Sequence, residues 1–298
     1  MSEAKELLKK ISEGDKKALA RAITIVENEM ESSEEILTSL KFQKQIPLIG
    51  ITGPPGAGKS TLINSLVKDL SLEGKTIGII AIDPTSPFNY GSLLGDRVRM
   101  AEHFTNENVY IRSVATRGSL GGLSAKIIEI TDVMRVFPFD IIIVETVGVG
   151  QSEVEIAGLA DITIVVFVPE SGDEVQTLKS GIMEIADIFV INKADREGAA
   201  LFEKNLSALV HSGSKPEIPV IKAVATKSEG IPELISAISR CAHSGNEKRE
   251  FLLTEKAYKL IQNLRMKNVD KHELQKLIHN EFQRGNFNLY LLVKKFNK

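Results

Sequence analysis

A nine-residue run, Gly53-Pro54-Pro55-Gly56-Ala57-Gly58-Lys59-Ser60-Thr61, constrains the fold of this chain more than any other segment. It has the spacing G-x-x-x-x-G-K-[ST] and follows the apolar stretch Ile49-Gly50-Ile51-Thr52. Glycines let backbone N–H groups close around phosphates without side-chain clash. The segment from Lys59 through Leu66 predicts a helix whose positive dipole end meets the anion. In such a loop Lys59 reaches the β- and γ-phosphates, and the Ser60 hydroxyl is placed to ligate Mg2+. A strand, a phosphate loop and a helix in this order belong to α/β folds, so the rest of the chain is expected to supply a parallel sheet.

It does. Strand candidates recur at 47–52, 76–82, 108–113, 140–145, 162–168, 187–191 and 219–224. Runs such as Ile141-Ile142-Ile143-Val144 are continuously apolar, which suits strands buried on both faces. Amphipathic segments lie between them, as βαβ connectivity requires. Residues 3–42 read as helical, with Leu7, Leu8 and Ile11 on one face and Leu19, Ile23 and Val26 on the next. Ser12-Glu13-Gly14-Asp15 forms the turn and cap between two helices. Segments 254–266 and 271–283 are amphipathic. The expected organisation is a helical extension over 1–44, a phosphate-loop domain over 45–244 and a helical arm over 245–298.

A second strand, Ile188-Phe189-Val190-Ile191, runs into Asn192-Lys193-Ala194-Asp195, the N-K-x-D pattern. A carboxylate here can accept from both the N1–H and the N2 amino group of guanine, a pair that adenine lacks. The Lys193 stem can lie along the base. Ala225-Thr226-Lys227, ahead of Gly230-Ile231-Pro232-Glu233-Leu234, occupies the place of a last base-meeting loop. Two further strands deliver acids at their C-terminal ends, Asp83 and Glu145, where a carboxylate beside a phosphate loop can hold Mg2+ directly or through water. Asp96, in Gly95-Asp96-Arg97, is a third candidate. Gly148 can offer its N–H to a γ-phosphate. The next position, which in small signalling GTPases holds a water-orienting Gln, is Val149. The expectation is slow hydrolysis by the lone protein and stimulation by a partner.

Charge narrows the partners. With 37 basic and 39 acidic residues the net charge is −2, which gives no basis for nucleic acid or an anionic membrane as main partner. Cys241 is the single cysteine and the five histidines are dispersed, which disfavours a structural zinc site. The charged N-terminus and the lack of a span-length apolar stretch make the cytoplasm the expected location.

These motifs sit in blocks that resemble the MeaB / MMAA family, GTPase chaperones of methylmalonyl-CoA mutase formerly labelled ArgK or LAO/AO transport ATPase. The blocks are Asp15 to Thr24, the phosphate loop, Asp83-Pro84-Thr85-Ser86-Pro87, Gly95 to Met100 and Thr116 to Leu123. Glu145 to Glu153 and Gly172 to Gln176 follow, leading into the N-K-x-D loop. The resemblance implies a SIMIBI-class P-loop GTPase that is homodimeric through its C-terminal helices. It implies a protein that gates cobalamin loading of the mutase and protects it, timed by GTP binding and hydrolysis. It assigns Lys59, Ser60, Asp83, Asp96 and Glu145 to phosphate, Mg2+ and hydrolysis, and Asn192, Lys193, Asp195 and Ala225 to Lys227 to guanine. Segments 83–100 and 145–155 would be switches, and 170–180 a further one that signals to the mutase. Where the family often has Ser-Ala, this chain has Ala225-Thr226.

Two other readings compete. A metallochaperone GTPase of the same class would need clustered soft or imidazole ligands. A small-molecule kinase would need an acceptor pocket with a base in place of a guanine-reading loop.

Overall fold

The computed structural model describes residues 2–42, 44–83, 100–115, 126–146, 152–171, 185–210, 218–243, 247–266, 269–283 and 287–296. The chain divides into two compact units, Met1–Leu252 and Leu253–Lys298.

The first unit is built on seven strands: β1 (Leu48–Thr52), β2 (Ile77–Asp83), β3 (Val109–Ala115), β4 (Ile141–Glu145), β5 (Ile162–Phe167), β6 (Ile188–Ile191) and β7 (Val220–Lys222). They form one sheet in the order β3-β2-β4-β1-β5-β6-β7, and every pairing is parallel. All seven expected strands are present. β3 runs two residues past the expected end because its ladder with β2 continues through Asp83 and Ala115.

Each parallel strand needs its start fixed, and three aspartates do this in the same way. Asp140, Asp161 and Asp187 stand one residue ahead of β4, β5 and β6. The N–H of each donates to a carbonyl of the neighbouring strand's first turn: Thr76, Leu48 and Thr163, at 2.7, 2.8 and 2.9 Å. The N–H of that same partner donates back to the aspartate carboxylate, at 2.9, 2.9 and 2.8 Å. Arg135 adds a 2.6 Å ion pair to Asp161. Burial raises the pKa of the Asp140 carboxyl, but the Thr76 amide and the Lys44 ammonium outweigh it and hold the group below its ordinary value.

Helices cover both faces. On one, Leu62, Ile63, Leu66 and Val67 of α4 (Lys59–Leu72) pack with Ile49, Ile51, Ile79, Ile143, Ile164 and Val190, joined by Leu234 and Ile238 of α8 (Ile231–His243). On the other, Val165, Phe167, Phe189 and Ile191 meet Phe202 and Leu206 of α7 (Ala199–Val210). Also in this unit are α5 (Ile127–Met134) and α6 (Ser152–Leu159).

The N-terminal extension holds α1 (Glu3–Ser12), α2 (Lys16–Glu27) and a third, short helix, α3 (Ser33–Thr38), that periodicity did not separate. Asp15 caps α2, accepting from Lys17 and Ala18 N–H at 2.8 and 3.0 Å. The extension docks on the β3 edge: Lys16 reaches the Val109 carbonyl at 3.2 Å and Arg112 pairs with Glu27. Covering an edge strand in this way removes a site of unwanted pairing.

Toward the C-terminus, α9 (Glu247–Met266) begins seven residues ahead of the expected 254, because the polar turn Glu247 to Glu250 belongs to the same helix as the apolar positions that follow. α10 (Lys271–Gln283) is capped by Asp270, and α11 (Leu289–Phe296), which the sequence reading did not separate, by Asn288. Among the described residues no helix is long and apolar enough to cross a membrane.

Candidate functional site

The site lies where the C-terminal ends of β1, β4 and β6 open onto loops. β1 is central, and Gly53 follows it directly. A Cβ on Gly53 would lie 2.1 Å from the Val166 carbonyl oxygen of β5, and its φ of +142° is one that glycine tolerates best. The loop then turns through Pro54, Pro55 and Gly56, closed by the Ala57 N–H donating to the Pro54 carbonyl at 3.2 Å. Gly58, at φ +83°, caps α4 and accepts the first helical bond from Leu62. The first-turn N–H groups of α4, at Lys59, Ser60 and Thr61, therefore face the loop's interior with no carbonyl of their own helix to meet.

Lys59 is buried. Its ammonium donates to the Gly53 and Pro54 carbonyls at 2.9 and 3.1 Å, which holds the positive charge over the loop. Ser60 is also buried, and its hydroxyl donates to Oε1 of Glu145 at 2.6 Å. Register explains that meeting: Glu145 pairs with Ile51 of β1 and Ala81 of β2, so β4 carries its acid to the level at which the phosphate loop begins. Thr146, next in line, is buried and donates to Thr52 Oγ1 at 2.9 Å, tying the end of β4 to the start of the loop. Neither threonine stood out in the sequence, because nothing in its spacing shows two strand ends to be neighbours.

The N-K-x-D loop is joined to the phosphate loop through side chains. Asn192 is buried; its amide donates to the Ala57 carbonyl at 2.9 Å and its Oδ1 accepts from the Ala225 N–H at 3.2 Å. Lys193, at φ +55°, reaches the Gly56 carbonyl at 2.8 Å. Asp195 is exposed and pairs with Lys227 at 3.1 Å. That hydrogen bond, with the charge of Lys227 behind it, holds the Asp195 carboxyl below the ordinary aspartate value. Ala225, Thr226 and Lys227 form a single 3-10 turn. The structure thus brings together Gly53 to Thr61, Glu145, Asn192, Lys193, Asp195 and Ala225 to Lys227. Arg196, one residue past the loop, pairs with Glu170 and lowers the pKa of that carboxyl; sequence reading did not single out either residue.

Asp83 is the last residue of β2, at the same end of the sheet, but its side chain lies outside the described residues. So do Asp96, Gly148 and Val149, and with them most of the three expected switches.

A phosphate loop at the centre of an all-parallel sheet, an acid on the adjacent strand that meets Ser60, and an N-K-x-D loop bonded to the phosphate loop define a P-loop GTPase. Residues 19–280 match the family described as methylmalonyl Co-A mutase-associated GTPase MeaB, and the chain belongs to that family. It is 50% identical over 254 residues to a GTPase-named protein of Pyrococcus abyssi, covering 83% of this chain and 76% of the relative. It is 35% identical to the GTPase ArgK of Escherichia coli, covering 78% and 74%. To the mitochondrial methylmalonic aciduria type A homolog of mouse it is 36% identical, covering 77% of this chain and 61% of that one. The crystal structure of an LAO/AO transport system kinase shares the fold, with a TM-score of 0.70 at 23% identity, covering 100% of this chain and 98% of the other.

Proposed function

We propose that this GTPase times the loading and protection of a cobalamin-dependent acyl-CoA mutase, with methylmalonyl-CoA mutase as the first candidate. The observation that carries the reading is the family match over residues 19–280. The mouse relative's name points to the same metabolism.

Within that reading the residues divide the work. The N–H groups from Gly56 to Thr61 and the Lys59 ammonium receive the β- and γ-phosphates of GTP. Mg2+ suits the donors present, since the Ser60 hydroxyl and the Glu145 carboxylate set two hard oxygens side by side. Asp83 and Asp96 are assigned to the same ion by motif. Bound there, Mg2+ would supply positive charge against the phosphate oxygens. Lys59, Asp96 and Glu145 form the hydrolytic set that replaces the γ-phosphate bond by water attack, giving GDP and phosphate. Asp195 accepts from the guanine edge, with Asn192, Lys193 and the Ala225 to Lys227 turn alongside. Val149 offers no side-chain hydrogen bond to water, so hydrolysis is slow until a partner contributes.

The assigned organisation is a helical extension over 1–44, a GTPase domain over 45–244 and a dimerisation arm over 245–298, working in the cytoplasm. The arm supports a homodimer: Tyr258, Ile261, Leu264, Phe282, Tyr290 and Leu291 are exposed large apolar residues on its three helices.

The test is co-purification of the chain with the candidate mutase in the presence of GTP, GDP or no nucleotide. Complex formation that depends on the nucleotide supports the reading. No complex in any of the three conditions removes the mutase as client and leaves a GTPase.

A further inference from the structure

The base-reading turn and the phosphate helix are bonded to each other by a residue outside every motif. Ser65 lies in α4, five residues past Ser60, which along a helix is about 7–8 Å. A serine inside a helix commonly bonds back to a carbonyl of its own preceding turn. Ser65 does not. Its hydroxyl donates at 2.6 Å to the carbonyl of Ala225, 160 residues on. That carbonyl also accepts from the Ser228 N–H at 3.2 Å.

Two N–H groups of the turn are committed as well. The Ala225 N–H goes to Asn192 Oδ1, and the Lys227 N–H to the Val224 carbonyl at 2.8 Å. The ends of the turn are closed by the Val224–Glu229 bridge. Asn192 therefore holds Ala225 by its donor and Ser65 holds it by its acceptor. Asn192 in turn donates to Ala57 of the phosphate loop, and Ser65 stands on the helix that this loop begins. Loop, helix and turn form one closed circuit of hydrogen bonds. A guanine seated against the turn is then measured from the same rigid rod that receives the phosphates.

We infer that Ser65 is a positioning residue for guanine selectivity: through the Ala225 carbonyl it fixes the distance between the base-reading turn and the phosphate cradle. The inference rests on the reading of this loop as the guanine site. Ser65 touches no nucleotide in this account; it acts through Ala225. Its loss frees the turn relative to α4, which weakens the reading of the base and leaves the phosphate interaction alone.

The experiment measures the affinities of the full chain for Mg·GDP and Mg·ADP by competition against a fluorescent guanine nucleotide. It compares wild type, Ser65→Ala, Ser65→Thr and Asp195→Asn, with thermal unfolding of each as the check on folding. A lost side-chain hydrogen bond of this kind corresponds to roughly a three- to ten-fold change. Ser65→Ala is expected to lower GDP affinity by that factor and leave ADP affinity unchanged, so the GDP:ADP ratio falls. Ser65→Thr, which keeps the hydroxyl, restores the ratio. Equal losses for GDP and ADP would mean that Ser65 supports the helix alone, and the inference falls. An unchanged ratio in Ser65→Ala with a collapsed ratio in Asp195→Asn overturns the role of Ser65 and keeps the guanine site. An unchanged ratio in Asp195→Asn overturns the guanine reading itself, and the role of Ser65 with it.

Discussion

The hydroxyl of Ser60 and the carboxylate of Glu145 meet at 2.6 Å, although 85 residues separate them in the chain. One lies in the first turn of the phosphate helix and the other ends β4, so the pair couples the cradle to the strand that leads into residues 147–150. Replacing Glu145 by Gln keeps an oxygen for Ser60 to donate to and removes the charge. The fold is expected to survive, while the Mg2+ requirement for GTP hydrolysis rises by about 10- to 100-fold in concentration, as for losses of groups that orient metal ligands. A Mg2+ titration of initial hydrolysis rates checks this. Identical Mg2+ curves for the variant and wild type would separate Glu145 from the metal.

Gly58 has a neighbour that admits no side chain. A Cβ there would lie 2.4 Å from Asn192 Nδ2, and φ is +83°. Gly58→Ala must therefore shift either the phosphate loop or the amide that joins it to the base loop. A left-handed backbone costs a residue with a Cβ about 1–2 kcal/mol before any clash is counted. GDP affinity is expected to fall at least ten-fold, read by equilibrium binding, and GTP affinity with it.

Asp195 owes its lowered pKa first to the hydrogen bond from Lys227. In the proposed guanine contact, the ionised form of Asp195 is the one that accepts from the base. Binding is thus retained as pH falls past the ordinary aspartate value of 3.8 and is lost only through the lower, folded value. Lys227→Met removes the cause, so the acid limb of guanine-nucleotide binding moves up toward 3.8. Affinity measured from pH 6 downward, as far as circular dichroism shows an intact fold, distinguishes the two. An acid limb at the same pH in both proteins would exclude Lys227 as the cause. The pair is exposed on both sides and contributes little to stability at neutral pH.

Asp161 serves both the Leu48 N–H and Arg135. Asp161→Ala leaves a strand-end N–H and a half-buried guanidinium without that acceptor. Its expected cost is about 2–3 kcal/mol in urea unfolding, with no change in the slope of the transition. Asp161→Asn, which keeps one acceptor oxygen, is expected to lose about half as much. A midpoint unmoved by the alanine variant would show that the ladder alone holds the start of β1.

Strands and motifs were legible in the sequence because each is local. Ile141 to Val144 is apolar on both faces, and G-x-x-x-x-G-K-S carries its own geometry. The meetings between distant segments were not. Ser60 and Glu145 were each expected beside Mg2+, but their direct bond, like Thr52 with Thr146 and Ser65 with Ala225, depends on which strand ends and helices become neighbours, and sequence order does not reveal the sheet order β3-β2-β4-β1-β5-β6-β7. The third N-terminal helix, Ser33–Thr38, is six residues long, too short for a helical period to register. α11 is eight residues long and follows a polar tract, so its Asn288 cap was not distinguished from a turn.

The aspartates ahead of β4, β5 and β6 act at a distance from where they sit. Asp140 lies five residues before Glu145, Asp187 five before Asn192, and Asp161 five before Val166, whose carbonyl abuts Gly53. At about 3.3 Å per residue each is a plumb line of roughly 16–17 Å from the floor of the sheet to its working rim. Because alternate residues face opposite ways, one residue added to any of the three lines would deliver its last side chain to the wrong side as well as the wrong height. The nucleotide end of this protein is levelled from its opposite end.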